Sequence, residues 1–280
     1  QYISFNEEFL NEPSVVAQVT SENENSGVFV NIRNVTTEGF YVYLMEDPGF
    51  DGVHGYEDVT YLAVGERPLN IAIIDTGSSG ISYMEDILTD EGHSYDILQF
   101  NDVASDLDDS YDVVIYPGGD YYDVIEVYNN PAMADAIRDF VDDGGGFVGV
   151  CGGSIAGSTD LVYDGVTYPG IMLGLLDVEA TWDSDWSYYI GNMISLEFES
   201  VMEHEIFEGV NVGDTFDLDY AGGPTFDTNE DVLLEYNEDL NGLLDDNNIS
   251  GRDAVVVGEY GDGNVILSAA HPEYNYDELF

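Results

Sequence analysis

From position 70 onward, short apolar runs alternate with amphipathic stretches. Asn70-Ile71-Ala72-Ile73-Ile74-Asp75 is an apolar core between polar ends, and comparable runs recur at 95–100, 111–116 and 146–150. Between them, 81–91 and 130–142 space their apolar residues as helices do. Buried strands alternating with amphipathic helices predict an α/β domain built on a doubly wound, mostly parallel sheet. Ligands of such sheets bind at the carboxyl ends of the strands, where Asp75, Pro117-Gly118-Gly119 and Cys151 fall. After 160 the pattern turns to β segments and glycine turns, as at 162–168 and 253–271, which read as hairpins added at the sheet edge.

Residues 1–66 are patterned differently. Four β-branched and aromatic runs, at 15–19, 27–33, 39–45 and 59–64, are separated by turn residues at close spacing. That spacing predicts a small antiparallel β-sandwich. Gly65-Glu66-Arg67-Pro68-Leu69 is too short for a free linker. The expected organisation is a β-sandwich over 1–66 and an α/β domain over 67–280.

The chemistry concentrates at Gly149-Val150-Cys151-Gly152-Gly153, where an apolar strand runs into a turn and then a helix of small residues. A nucleophile on such a turn projects from the backbone, and flanking glycines let chain segments approach closely. The opening of the next helix directs N–H groups at the sulfur and favours thiolate. A lone cysteine is also common as a small core hydrophobe, so the elbow needs partners. They are supplied by Val265-Ile266-Leu267-Ser268-Ala269-Ala270-His271-Pro272-Glu273, a strand ending in a base with a carboxylate two residues on.

A Gly-x-Cys-x-Gly elbow followed by a late His-Pro-Glu resembles the class I glutamine amidotransferase-like superfamily, and within it the amino-terminal domain of some biotin-protein ligases. Tyr111 to Asp120 is similar to the family's strand and Pro-Gly-Gly oxyanion loop, and Ala136 to Gly144 to the helix before the elbow. His204 to Gly209 and Tyr220 to Pro224 match two later landmarks, so the likeness spans roughly 70–280. The resemblance implies a flavodoxin-like fold, a Cys151–His271–Glu273 triad, and an oxyanion site on N–H groups of Gly118 or Gly119 and Gly152. It implies no cofactor and no metal. The usual amidotransferase works beside an ammonia-consuming synthetase, which these residues do not encode, so glutamine is not the expected substrate.

In the first 66 residues, the order Phe5, Phe9, Pro13-Ser14-Val15, Asn34-Val35-Thr36, Gly39-Phe40, His54, Tyr61-Leu62-Ala63 resembles the H-type lectin module, a six-stranded sandwich. That likeness implies glycan binding and homo-oligomerisation. His54 lies in a polar loop, and a plain loop histidine is the favoured reading.

Composition then narrows the setting. Lys plus Arg is 4 against Asp plus Glu 58, a formal charge of −54. At 44% hydrophobic residues the chain can still bury a substantial core, which excludes an acidic disordered tail. Such a charge repels itself in dilute buffer, whereas at about 1 M salt the Debye length falls to roughly 3 Å. The economical reading is a halophile's protein of archaeal type; a calcium-loaded surface protein or a partner of polycations are the alternatives. Four arginines cannot build a basic patch, so nucleic acid is excluded as a partner. One cysteine excludes an internal disulfide, and no apolar run is long enough for a membrane span. Position 1 is Gln, and Asn34-Val35-Thr36 and Asn248-Ile249-Ser250 are glycosylation triplets. Together these favour an extracellular or cell-surface location. A catalytically silent subunit of a surface layer or filament remains the alternative to a thiol enzyme.

Two motifs are decoys. Asp75-Thr76-Gly77-Ser78-Ser79 matches the surroundings of one pepsin-type aspartate, but no second such segment exists to share a proton. It reads instead as a turn whose serines and glycines cap the next helix. Asn237 to Asn248 partly matches a calcium loop but carries Asn where the bidentate Glu belongs. A solvated acidic turn is the favoured reading there.

Overall fold

The computed structural model describes the chain except residues 22, 24–27, 47–55, 190, 208, 241–248 and 276–280. Of Ser187, Tyr188 and Glu205 only the backbone is described. His54, the Asn248 triplet and most of the acidic 237–248 segment therefore lie outside the described residues. The chain divides into two compact units, Gln1–Pro68 and Leu69–Phe280.

Among the described residues, the first unit holds five strands: β1 (Tyr2–Ser4), β2 (Ser14–Val19), β3 (Val28–Arg33), β4 (Gly39–Glu46) and β5 (Val59–Val64). They form two antiparallel sheets, β1-β4-β3 and β2-β5. Alternation along β4 turns Phe40 and Val42 inward and Tyr41, Tyr43 and Met45 outward. Phe40 meets Tyr61 of the second sheet at 5.1 Å between centroids, and Phe5 and Phe9 extend the cluster. Period-two burial on facing sheets is why these residues form a sandwich.

The second unit opens with a run of alternating strands and helices. These are β6 (Asn70–Ile74), α1 (Gly80–Asp90), β7 (Ser94–Leu98), α2 (Val103–Asp106), β8 (Val113–Tyr116), α3 (Tyr121–Val124), α4 (Glu126–Asn129), α5 (Pro131–Asp142), β9 (Gly146–Val150) and α6 (Gly152–Gly157). Ile71, Ala72, Ile73 and Ile74 are all buried, as a strand covered on both faces requires. In α5, Asn130 caps by accepting from the Met133 N–H at 3.3 Å, and Pro131 occupies the first helical position. Met133, Ala134, Ile137 and Val141 give that helix its buried stripe.

The remaining strands are β10 (Asp160–Tyr163), β11 (Val166–Tyr168), β12 (Val178–Trp182), β13 (Ile194–Ser200), β14 (Thr215–Tyr220), β15 (Thr225–Thr228), β16 (Asp231–Tyr236), β17 (Asp253–Tyr260) and β18 (Gly263–Ser268). The sheet runs β11-β10-β12-β15-β17-β18-β9-β8-β6-β7, with β13, β14 and β16 branching from β17. Strands β18, β9, β8, β6 and β7 are mutually parallel and form the block that carries the site.

The expectation of edge hairpins holds for β10 and β11 and fails for β17 and β18. That second hairpin lies inside the sheet, with β18 beside the elbow strand β9. The reason is burial: Val265, Leu267 and Ser268 are all covered, which an edge strand would not achieve.

Candidate functional site

Parallel pairing of β18 with β9 brings their carboxyl ends together, joined where the Cys151 N–H donates to the Ser268 carbonyl at 2.7 Å. Cys151 stands between β9 and α6 at φ 51° and ψ −111°, a left-handed conformation that side-chain-bearing residues rarely adopt. Its carbonyl holds the turn by accepting from the Ser154 hydroxyl at 2.5 Å and the Ser154 N–H at 3.1 Å. Strain of this kind persists only where surrounding structure imposes it. Here the imposition comes from neighbouring backbone: a β-carbon on Gly149 would strike the Gly153 carbonyl, and one on Gly153 would strike the Tyr116 carbonyl. The two glycines of the motif are therefore a packing requirement.

His271 follows β18 and is tied by its N–H to the Asp219 carbonyl at 2.9 Å. Its Nδ1 lies 2.8 Å from Glu273 Oε1, with both side chains buried. Glu273 in turn abuts the start of α1, where a β-carbon on Gly80 would fall 2.5 Å from its Oε1. The positive end of that helix stabilises a carboxylate there. The short turn carrying Glu273 is pinned to α1 through Tyr274, whose hydroxyl lies 3.0 Å from Ser79 Oγ and whose ring meets Tyr83 edge-on at 4.8 Å.

Nucleophile and base meet beside Gly118. A β-carbon at that position would lie 2.9 Å from His271 Cε1, 3.7 Å from Nε2 and 3.4 Å from Cys151 Cβ. Both side chains thus lie against one backbone position. His271 Nε2 is buried without a hydrogen-bond partner among the described residues. Burial by itself works to lower the imidazole's pKa; the Cys151 sulfur and then Glu273 outweigh it and raise the pKa to about 10.

Gly118, Gly119, Cys151 and His271 line a cavity of about 620 Å³. Gly152 packs behind it, its missing β-carbon leaving room 3.0 Å from the Gly119 nitrogen. Among the described residues, the Gly118, Gly119 and Gly152 N–H groups donate to no protein acceptor. The Gly118 carbonyl is occupied by the Thr76 hydroxyl at 2.6 Å, which fixes the peptide's orientation.

The structure thus gathers Cys151, His271, Glu273, Gly118, Gly119 and Gly152 at one place. It adds residues that sequence reasoning missed, Thr76, Ser79, Tyr83, Asp120, Asp123, Met193 and Tyr274, and Tyr189, for which hairpin packing was the favoured reading over a pocket rim. Only Tyr274, directly after His-Pro-Glu, carried a local hint. The Asp75 segment is a turn as expected: the Ser78 hydroxyl accepts from the Gly80 N–H at 3.2 Å, while Ser79, at the cap position, makes no side-chain cap bond. Trp182 and Trp186 are buried away from the cavity and Tyr189 lines it. Among the described residues, no group of three His, Cys, Asp or Glu side chains is gathered to hold a metal, and no helix is long and apolar enough to cross a membrane.

Residues 71–217 match the family model of the CobB/CobQ-like glutamine amidotransferase domain. A crystal structure of a glutamine amidotransferase is similar with a TM-score of 0.51 at 19% identity, covering 75% of this chain and 93% of its own. A glutamine amidotransferase from Thermotoga maritima gives 0.48 at 18% identity, covering 76% and 85%. No curated protein sequence matches the chain.

Proposed function

The chain belongs to the CobB/CobQ-like glutamine amidotransferase domain family, and on that premise we propose that Leu69–Phe280 is a cysteine-dependent amidohydrolase or acyltransferase. The observation that carries this reading is that Cys151 and His271 lie together against Gly118 in one cavity, with Glu273 on the Nδ1 side of the imidazole.

The chemistry follows from that arrangement. The Cys151 thiolate attacks an amide or ester carbonyl, forming a C–S bond as the C=O electron pair moves to oxygen. The oxyanion is held by N–H groups of Gly118 or Gly119 and of Gly152. Collapse of the intermediate expels the amine or alcohol, which takes a proton from His271 Nε2. Water then attacks the thioester, gives a proton to His271, and breaks the C–S bond to release acid and thiolate. Glu273 keeps Nδ1 protonated and the ring aligned throughout. A panel of amide and ester substrates, read with and without Cys151→Ala and His271→Ala, tests this. Each variant is expected to lose about 10³-fold or more of turnover, and turnover unchanged in either rejects the reading.

The setting is a secreted or cell-surface protein of a halophile. The net charge of −54 supports halophily, and the exposed Asn34 of a glycosylation triplet supports exposure outside the cell. An unfolding midpoint that does not rise between dilute buffer and about 2 M KCl rejects halophily.

The first unit is proposed as a glycan-binding or oligomerising module. Its outer faces support assembly. Tyr2, Phe29, Asn31, Arg33, Tyr41, Tyr43 and Met45 on one sheet, and Ser14, Val16, Gln18, Thr60, Leu62 and Val64 on the other, include no Asp or Glu. In a chain with 58 carboxylates, these are surfaces on which like-charged copies can meet. The same faces favour the second reading, a structural subunit of a surface layer or filament. That reading stands alone only if the cavity proves inert.

A further inference from the structure

Acids outnumber bases in the cavity around Cys151. Among the described residues its ionisable lining is Asp120, Asp123, Cys151 and His271 beside the tyrosines. The chain has no lysine, and none of its four arginines lines the cavity. Arg138, the one arginine on α5, is tied to Asp135 and to the Leu173 and Met172 carbonyls.

Both carboxylates stand beside the backbone proposed to receive the oxyanion. A β-carbon on Gly119 would lie 2.7 Å from Asp123 Cβ and 2.8 Å from its Oδ2. Asp123 Oδ2 accepts from the Asp120 N–H at 2.8 Å, and Asp120 Oδ1 accepts from the Tyr122 and Asp123 N–H groups at 2.7 and 3.3 Å. Those bonds orient the acids without neutralising them, and among the described residues neither has a cationic partner. Burial holds the Asp123 carboxyl above the usual range; the Asp120 N–H works against this, and the Asp120 and Glu126 carboxylates add to it.

A second feature points at a ligand in the same space. His271 Nε2 is buried, lines the cavity and, among the described residues, has the Cys151 sulfur as its neighbour but no nitrogen or oxygen partner. An occupant therefore has a proton donor to meet at Nε2, two carboxylates beside the oxyanion loop, and an apolar wall of Tyr83, Tyr189, Met193 and Tyr274. A substrate carboxylate there would face like charge, and the one side-chain cation lining the cavity, the protonated His271, is already held by the Cys151 sulfur and Glu273. An ammonium or guanidinium would gain charge-assisted hydrogen bonds.

We propose that the site takes an acyl donor bearing a cationic group, seated on Asp120 and Asp123 while its carbonyl lies between Cys151 and the Gly118–Gly119 backbone, and that it excludes donors with a free carboxylate. The inference rests on Cys151 being the nucleophile, and it separates this cavity from one built for an amino-acid amide whose carboxylate must also be held.

Because Cys151 is the only cysteine, intact-mass spectrometry reads its modification cleanly. The probes are 2-aminoethyl, 2-hydroxyethyl and 2-sulfonatoethyl methanethiosulfonate, similar in size and differing in charge. Each rate is divided by the same reagent's rate with 2-mercaptoethanol. Working in about 2 M KCl screens the field of the whole chain and leaves contact charges in play. The normalised cation-to-sulfonate ratio is expected to exceed about tenfold, equivalent to 1.4 kcal/mol. In the double variant Asp120→Asn, Asp123→Asn, which keeps acceptors for the same N–H groups, it should fall towards one. A control double variant on the exposed face of α1, Asp86→Asn with Asp90→Asn, should leave it unchanged. Equal cation and sulfonate rates, or a ratio that survives the cavity variant, overturns the inference while leaving the nucleophile in place. Failure of all three reagents to modify the folded protein overturns the nucleophile reading and this inference with it.

Discussion

The two units solve the burial problem differently. Among the described residues of Gln1–Pro68, Phe40, Val42 and Pro13 are the apolar side chains that are buried, while Val16, Phe29, Leu62 and Val64 are each more than 60% exposed. In Leu69–Phe280 a continuous core runs from Ala72 to Ala270, and the strands of the parallel block are covered on both faces. A two-layer sandwich of short strands leaves half its side chains outside, whereas a sheet wrapped by helices buries both faces. The larger unit can therefore hold a strained residue such as Cys151, because many contacts oppose its relaxation. The smaller one has no such reserve.

Mutation of the two cores breaks or sharpens that contrast. Phe40→Ala removes the centre of the small unit's aromatic cluster at about 3–5 kcal/mol, enough to unfold it. Leu267→Ala costs about 2–5 kcal/mol from a much larger reserve and should only lower the melting temperature. Hydrogen exchange resolves the two cases. Loss of protection over residues 69–280 on Phe40→Ala would show that the units do not differ in this way.

A smaller effect is expected from Gly153→Ala. The added methyl meets the Tyr116 carbonyl, and relief by backbone movement costs about 1–3 kcal/mol. Because the displaced element carries Cys151, thiol labelling should fall further than stability does. A variant that labels at the wild-type rate would mean the elbow does not depend on this contact.

The smallest effect concerns pH. The folded pKa of His271, about 10, lies above its ordinary 6.5. Its contribution to stability is therefore fully present below pH 6.5 and is lost as pH rises through 10. Relative to His271→Gln, the wild-type melting temperature should decline across that interval. A constant difference between the two proteins would contradict the pairing of the imidazole with Cys151 and Glu273.

Much of this was legible in the chain. The strand at 146–150 is found where the apolar run places it, and α1 and α5 agree with their apolar spacing to within a residue. The glycines around Cys151 marked a close backbone approach, and His-Pro-Glu marked a base with its carboxylate. Other features were not legible. Strand β18 reads as apolar whether it lies at an edge or in the interior; only its pairing with β9 shows which. Asp120 and Asp123 are two acids among 58, and nothing local distinguishes them from the solvated majority. Thr76, Tyr83 and Tyr189 reach the cavity from segments far apart in the chain.

Local order along the chain determined which residues could be nucleophile, base and orienting acid, since hydrophobic period, turn glycines and motif spacing are properties of neighbouring positions. What the tertiary structure alone decided is which of those groups meet, and in what company. Contacts between β9 and β18, and between Glu273 and the start of α1, arise from global packing of surfaces that no short segment encodes. The charge of the cavity is likewise a sum over side chains that become neighbours only when the sheet is assembled.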